Sequence, residues 1–128
     1  MGGGGAPEIA AMAGEVIVII RQSPRSFVER LHFRSSVGFG DGPGDRERLG
    51  LPGGGPQIVI TDLGVLRPDP ESCELTLTQI HPGVSLEQVR EATGWELKVA
   101  GDLRETEPPT DEELRVLREL RATLKTPA

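Results

Sequence analysis

Four consecutive glycines, Gly2 to Gly5, are the residues of this 128-residue chain best placed to contact an anion or a developing oxyanion. Glycine lets backbone N–H groups approach a ligand closely, and the next residues, Ala6 to Ala13, favour a short helix whose N-terminus would face that ligand. Such a run normally joins a strand to a helix, but here it follows Met1 directly. Taken alone, the run is equally compatible with an expression leader or a flexible tail.

A second glycine-rich stretch, residues 38–46, could cradle a phosphate with Arg46 or Arg48 supplying positive charge. It lacks the Lys-Ser/Thr ending of a P-loop and does not lie directly between a strand and a helix. We therefore predict a structural loop, within a long irregular segment from Ser35 to Pro56.

The two histidines, His32 and His81, are far apart in sequence and are not arranged with cysteine or carboxylate residues as in a metal motif. We expect both at turn or surface positions. Acidic residues gather where negative charge complements the dipole of a C-terminal helix, which predicts a structural role and no metal site. These residues are Asp102, Glu105, Glu107, Asp111, Glu112 and Glu113.

Charge and cysteine content exclude several classes of protein. The net charge of −6 argues against non-specific nucleic-acid binding, which depends on Lys and Arg. A single cysteine, Cys73, excludes an intramolecular disulfide, favours an intracellular setting and is expected to be a packing residue. No segment approaches the roughly eighteen apolar residues of a membrane span, and no signal peptide is recognisable. We expect one globular, cytoplasmic domain over residues 1–128 that binds no membrane.

Strands that could position these residues are predicted from apolar runs. Val16 to Ile20 is apolar on both faces, which is typical of a central strand covered by helices on both sides. A second strand, Gln57 to Asp62, is expected to continue through Leu63 to Leu66 past Gly64, which marks a bulge or a close backbone approach. After a proline turn, Glu74 to Gln79 alternates and is predicted to run antiparallel to its predecessor.

Helices are predicted from their capping residues. Pro7 to Met12 forms a short helix that Gly14 ends, and a capping box of Ser85 and Gln88 begins a helix over Leu86 to Thr93. We expect Gly94 to be its left-handed terminator, Trp95 to Val99 to be the last strand, and Arg21 to Arg34 to hold a short helical turn and a strand. Thr110 and Glu113 cap a C-terminal helix, whose leucine stripe is expected to dock on the sheet or on a partner. The stripe comprises Leu114, Leu117, Leu120 and Leu124.

Several blocks, in order along nearly the whole chain, resemble the β subunit of family I coenzyme A transferases. Gly2 to Glu8 is similar to the Gly-x-Gly-Gly-Ala loop of that family. The remaining blocks are Phe27 to Arg30, Val37 to Phe39, Val59 to Leu66, Leu75 to Leu77, His81 to Val84 and Val89 to Trp95.

The resemblance implies an α/β fold of the NagB/RpiA/CoA transferase-like type, a mixed open sheet with flanking helices. It implies transfer of coenzyme A between carboxylic acids through a glutamyl-CoA thioester, with the CoA thioester as substrate and no permanently bound cofactor. The family's loop residues correspond to Gly2, Gly3, Gly4, Gly5 and Ala6, which would bind acyl-CoA and stabilise the oxyanion. An α subunit is the implied partner, in a heterodimer or heterotetramer.

The chain also departs from the family. No glutamate lies in the Ser-Glu-Asn-Gly type motif of the family's nucleophile, so no catalytic residue is assigned. We therefore expect the C-terminal portion of a β subunit without its N-terminal half, inactive alone and with an exposed sheet edge. The segments from Arg21 to Arg30 and from Gly40 to Arg48 look closest to an alternative branch, hydrolases that open steroid-derived rings in CoA thioesters. A non-catalytic assembly module and a plain α/β domain with a glycine tail are also compatible with the sequence.

Overall fold

A computed structural model describes residues 4–124 of the chain. The helices are α1 (Ala6–Met12), α2 (Asp45–Arg48), α3 (Leu86–Glu91) and α4 (Asp111–Leu124). The strands are β1 (Val16–Ile19), β2 (Pro56–Ile60), β3 (Gly64–Pro68), β4 (Leu75–Ile80) and β5 (Lys98–Glu105). None of the helices within this range has the length and apolar character needed to cross a membrane.

The strands form one five-stranded sheet in the order β1-β2-β3-β4-β5. β1 is parallel to β2, and β4 is parallel to β5, whereas β3 runs antiparallel to both of its neighbours. Four strands therefore point in one direction and β3 in the other. The mixed open sheet with flanking helices that the sequence predicts is confirmed.

The core is built from the sheet, α3 and the segment that follows β1. Leu66 of β3, Leu77 of β4 and Val89 of α3 are fully buried. Phe27 joins this cluster, and its ring stacks on Trp95 with the centroids 5.8 Å apart. Removing these apolar side chains from water is the main source of stability that the described residues supply.

The chain reverses direction between β2 and β3, so the prediction that the strand continues through Leu66 is wrong. Thr61 donates its backbone N–H to the Gly64 carbonyl at 2.9 Å and closes a tight turn. The predicted close approach at Gly64 is confirmed, because a Cβ there would lie 2.4 Å from the Gln79 carbonyl oxygen. The hairpin of β3 and β4 is confirmed as well.

β1 lies at the edge of the sheet that residues 4–124 form, which is the exposed edge expected of this chain, and these residues do not place it as the central strand that its apolar run predicts. It pairs with β2 alone within the described residues, and its side chains alternate between half-buried and exposed. Val18 packs against the core, whereas Ile17 is 60% and Ile19 is 79% exposed. The apolar character of both faces indicates two covered faces, but residues 4–124 cover only one of them.

Two further local predictions are overturned by tertiary contacts. Residues 21–34 contain turns and neither a helix nor a strand, because Phe27 is drawn into the core. Gly94 does not adopt a left-handed conformation; it lies so close to Phe27 that a Cβ would meet that residue's carbonyl oxygen at 2.7 Å. The last strand begins at Lys98 and extends to Glu105, later and longer than predicted.

The predicted helix starts are confirmed. Pro7 lies in the first turn of α1, and Ser85 and Gln88 form both hydrogen bonds of the capping box of α3. Thr110 and Glu113 do the same at α4. The leucine stripe of α4 does not dock on the sheet: no residue of α4 is buried, and Leu117, Leu120 and Leu124 are all exposed.

Candidate functional site

Polar residues follow the carboxyl ends of the four strands that run in the same direction. Gln22 comes after β1, Thr61 and Asp62 after β2, His81 after β4 and Thr106 after β5. In open α/β sheets, ligands bind outside this edge. We refer to these residues, together with Thr93, as the carboxyl-edge network.

Gln22 is the buried centre of this network. Its side-chain amide donates to the Thr93 hydroxyl at 2.9 Å, and its carbonyl oxygen accepts from the Thr61 hydroxyl at 2.9 Å. The Thr93 hydroxyl in turn donates to the Val89 carbonyl at 2.7 Å, and that of Thr61 accepts from the Gly64 N–H. No buried side-chain polar atom among residues 4–124 lacks a partner. A satisfied buried network of this kind fixes the positions of the elements that it joins.

His81 begins a turn, as the sequence predicts, because its carbonyl oxygen accepts the Val84 N–H at 3.1 Å. Its half-buried ring also connects the ends of three strands. Its Nε2 lies 2.9 Å from the Thr61 carbonyl oxygen, and its Nδ1 lies 2.8 Å from the Thr106 hydroxyl. A carbonyl only accepts, so Nε2 donates, and the neutral ring accepts from Thr106 through Nδ1. Both ring nitrogens are therefore occupied by structural bonds. His32 is exposed, as expected.

Asp62 carries the exposed charge of this edge. One carboxylate oxygen accepts the backbone N–H of Gln22 at 2.8 Å, and the other lies 3.5 Å from Nε of Arg21. The Arg21 side chain is 88% exposed, so water screens the pair and it contributes little to stability. The carboxylate is held in place mainly by the backbone N–H.

The glycine run lies partly outside the described residues, which exclude Gly2 and Gly3. Gly4 adopts a positive φ of 60°, and Gly5 caps α1 with φ −80°. Within residues 4–124, the N–H groups of Gly4 and Gly5 donate to no backbone or side-chain acceptor. Gly4, Gly5 and Ala6 are exposed, and a Cβ at either glycine would meet nothing within 4 Å. The loop thus presents free N–H donors at a helix start.

The Arg46 side chain is buried within the second glycine-rich stretch and binds backbone carbonyl groups there. Its guanidinium is nearly buried and donates to four backbone carbonyls, those of Gly38 (2.8 Å), Pro52 (2.8 Å), Ala11 (2.9 Å) and Gly53 (3.3 Å). These bonds occupy the guanidinium, so it is not a phosphate ligand, and the predicted structural loop is confirmed.

Asp45 and Arg48 form an ion pair on α2 beside Arg46, so the Arg48 guanidinium is engaged by a carboxylate of the loop itself. The Asp41 N–H and the Arg48 guanidinium both donate to the Asp45 carboxylate and lower its pKa. The protonated form of the Asp45 carboxyl is disfavoured because these hydrogen bonds stabilise the charged carboxylate. The charges of Asp45 and Arg48 therefore stabilise the loop.

Cys73 lies at the opposite edge of the sheet, in the turn between β3 and β4. It is half-buried, has a positive φ of 60° and lines a cavity of about 220 Å³ together with Phe39, Arg46 and Leu51. No group of three or more His, Cys, Asp or Glu residues within 4–124 could hold a metal ion. Neither edge pairs a nucleophile with a free base among the described residues.

Sequence reasoning missed Gln22, Thr61 and Thr93 as members of the site. The available signal was the polar pair Thr61-Asp62 directly after an apolar strand, since that is where α/β sheets place functional groups. Gln22 and Thr93 gave no such signal, because their partners lie 39 to 71 residues away.

Comparison with known proteins gives consistent matches. The family model described as coenzyme A transferase matches residues 1–92. The β subunit of 3-oxoadipate CoA-transferase from Pseudomonas knackmussii is 51% identical over 121 residues, which cover 94% of this chain and 46% of that protein. The cholesterol ring-cleaving hydrolase IpdB subunit of Rhodococcus jostii is 37% identical over 62 residues, which cover 48% of this chain and 24% of that protein.

Among solved structures, glutaconate coenzyme A-transferase from Acidaminococcus fermentans superimposes with a TM-score of 0.84 at 36% identity. The match covers 99% of this chain and 50% of the matched chain. The chain thus spans about half the length of the 3-oxoadipate relative and of this transferase chain.

Proposed function

This chain belongs to the coenzyme A transferase family, and we propose that it forms part of a β subunit that transfers coenzyme A between carboxylic acids. Its contribution is the glycine loop of Gly2, Gly3, Gly4, Gly5 and Ala6, which binds the acyl-CoA and stabilises the oxyanion. The observation that carries this role is the pair of free N–H groups at Gly4 and Gly5, at the start of α1.

Exchange of a thioester requires such donors. Attack on the thioester carbonyl places a negative charge on its oxygen, and N–H groups about 2.7–3.1 Å from that oxygen lower the barrier. Neither loop glycine carries a Cβ that would hold a ligand away from the backbone. Because Arg46 anchors the last turn of α1 through the Ala11 carbonyl, the helix that presents these donors is fixed at its other end.

The nucleophile comes from elsewhere in the assembled enzyme. No glutamate of this sequence lies in the family's Ser-Glu-Asn-Gly type motif, and the ring nitrogens of His81 are occupied. We therefore propose that the chain is inactive alone and acts with an α subunit, in a heterodimer or heterotetramer. The carboxyl-edge network is the rigid wall against which that partner completes the site.

We propose that the substrates are CoA thioesters of dicarboxylic acids, with action in the cytoplasm. The support for this substrate class is that 3-oxoadipate and glutaconate give two similar proteins their names. Coenzyme A is a substrate here and not a resident cofactor.

A ring-opening hydrolase of CoA thioesters is the second candidate. It is favoured by the 37% identity to the IpdB subunit over 62 residues. A transferase moves coenzyme A from one thioester to an acceptor carboxylate, whereas a ring-opening hydrolase adds water across a ring bond of the acyl group and leaves the thioester intact. Trapping a glutamyl-CoA adduct in the assembled enzyme would exclude the hydrolase.

The test of the loop is removal of one N–H donor. Gly5→Pro deletes the N–H at a φ that proline tolerates, and Gly5→Ala is the matched control because it keeps the N–H and its methyl group meets open space. In a complex with an α subunit, we expect Gly5→Pro to lower kcat about 100-fold or more and Gly5→Ala to lower it far less.

Two other outcomes have defined meanings. Full transfer activity of the Gly5→Pro complex would contradict the oxyanion role. It would support the alternative of an α/β domain whose glycine tail has no role in catalysis. Co-purification with the α subunit without any turnover would support the non-catalytic assembly module.

A further inference from the structure

The connection between α1 and β1 lies against residues 53–55, the glycines that precede β2. The Gly54 N–H donates to the Gly14 carbonyl at 3.1 Å, and the Val16 N–H donates to the Gly55 carbonyl at 3.3 Å. These bonds join the end of the irregular segment to the residues that lead from the helix into the strand.

Gly53 comes closest to this connection. It has a positive φ of 73°, and a Cβ there would lie 2.9 Å from the Gly14 Cα and closer still to the Ala13 carbonyl oxygen. Gly50, in the same irregular segment, also has a positive φ, of 67°, but a Cβ there would meet nothing within 4 Å. Both positions therefore favour glycine for its backbone conformation, whereas only Gly53 also needs it for contact with the connection.

Arg46 binds the same connection from the side of the loop. Its Nη2 donates both to the Ala11 carbonyl in the last turn of α1, at 2.9 Å, and to the Pro52 carbonyl, at 2.8 Å. Its Nε donates to the Gly53 carbonyl at 3.3 Å. A planar guanidinium can span carbonyl groups of two separate segments in this way, whereas a lysine ammonium carries all of its donors on one atom.

A small movement of this connection would be amplified at the glycine loop. Gly5 lies six residues before Ala11, which is about 9 Å along a helix that rises about 1.5 Å per residue. A rotation of about 10° at Ala11 would therefore move the Gly5 N–H by about 1.6 Å. A misplacement of about 1 Å at a reacting centre can lower a rate about 100-fold.

We propose that Arg46 and Gly53 are positioning residues for the transfer reaction. They hold the connection between α1 and β1, and thereby fix the direction in which the glycine loop presents its N–H groups to the acyl-CoA. Both act through the backbone of residues 11–14 and contact no substrate. This inference rests on the role proposed for the glycine loop.

Two glycine variants test the contact. Gly53→Ala and Gly50→Ala introduce the same kind of backbone strain into the same segment, but only Gly53→Ala pushes on the connection. In a complex with an α subunit, we expect Gly53→Ala to lower kcat about tenfold without raising KM for the acyl-CoA, and Gly50→Ala to change kcat less than about twofold. Circular dichroism shows that each variant is folded.

A double-variant cycle separates positioning from a merely structural role. Gly5→Pro removes an N–H that Arg46 is proposed to direct, so a change at Arg46 has less to misplace in that background. We expect Arg46→Lys to lower kcat about tenfold in the otherwise unaltered complex and less than about twofold in the Gly5→Pro complex. A structural role alone gives equal losses in both. Gly53→Ala enters the same cycle if Arg46→Lys does not fold.

The chain alone gives a spectroscopic readout. Residual dipolar couplings of the backbone amides measure the orientation of α1 relative to β3 and β4. We expect Arg46→Lys and Gly53→Ala to change the couplings of α1 and Gly50→Ala to leave them unchanged.

The two proposals fail in different ways. Full activity of the Gly5→Pro complex, or no transfer by the unaltered complex, contradicts the function proposed for the loop. A large loss in Gly5→Pro with equal effects of Gly53→Ala and Gly50→Ala, or with additive losses in the cycle, leaves the oxyanion role standing and overturns the positioning role. Unchanged α1 couplings in Arg46→Lys and Gly53→Ala overturn it as well.

Discussion

At the scale of single residues, Arg46 supplies the hydrogen-bond donors that a neighbouring strand would supply to the backbone carbonyl groups of a sheet. The segment between β1 and β2 has few regular backbone hydrogen bonds, and its carbonyl groups still need donors. One guanidinium supplies them to Gly38, Pro52 and Gly53, and also to Ala11 at the end of α1. The sequence places an arginine in a glycine-rich loop, but it cannot tell whether the guanidinium points inward or toward a ligand.

We expect Arg46→Ala to lower the free energy of unfolding by about 3 kcal/mol or more, because several carbonyl groups lose a charged donor. Arg48→Ala, two residues away on the same helix, removes an exposed partner of Asp45 and costs about 1 kcal/mol or less. Urea denaturation of both variants measures the difference. Equal losses would show that Arg46 contributes no more than a surface ion pair.

At the scale of elements, the sequence predicts best what is local. The capping boxes of α3 and α4 are confirmed because all of their atoms lie within four residues. The prediction that Gly94 is a left-handed helix terminator is wrong for the opposite reason. A glycine is needed there because Phe27, 67 residues earlier, leaves no room for a Cβ. The prediction of a helical turn and a strand over residues 21–34 is wrong for the same reason, because the burial of Phe27 determines the path of this segment.

The cap of α4 is expected to depend on pH. Thr110 donates both its backbone N–H and its hydroxyl to the Glu113 carboxylate, which lowers the pKa of Glu113 below its ordinary value of 4.5. A carboxyl whose pKa is lower in the folded state adds stability above its unfolded pKa and loses it as the pH falls through the folded value. We therefore expect the first turn of α4 to loosen below about pH 4.5.

An NMR titration of the Glu113 carboxyl carbon measures this effect. Thr110→Ala removes the hydroxyl, so its Glu113 should titrate closer to 4.5 and the start of α4 should fray. Glu119, farther along the same helix, is the internal reference. An unchanged Glu113 midpoint in Thr110→Ala would contradict the assignment.

At the scale of the whole molecule, the sequence predicts the class of fold and most helices and strands, but not which of these elements lie next to one another. The strand character of β1 is evident from its branched side chains, whereas its place at the edge depends on which chain segments are available to cover it. The carboxyl-edge network joins Gln22, Thr61 and Thr93 from three separate segments, and no local pattern links them. The proposed loop glycines were identified by resemblance, and their role stays a prediction.

Stability should be distributed unevenly over this molecule. Leu66, Leu77 and Val89 are fully buried in the centre, whereas no residue of α4 is buried. We expect amide hydrogen exchange to be slowest in β3, β4 and α3 and to be fast throughout α4, which opens without disturbing the sheet. Exchange followed by mass spectrometry checks this, and equally slow exchange in α4 and β4 would contradict it.

The thiol of Cys73 can be labelled chemically to follow the glycine-rich loop. It is the only cysteine of the sequence, and it lines the cavity that Arg46 and the glycine-rich loop enclose, at the sheet edge opposite the carboxyl-edge network. The rate at which a thiol reagent modifies it therefore follows the opening of that loop. A fluorophore attached there would lie at the sheet edge opposite the carboxyl-edge network, so its signal would report on the glycine-rich loop.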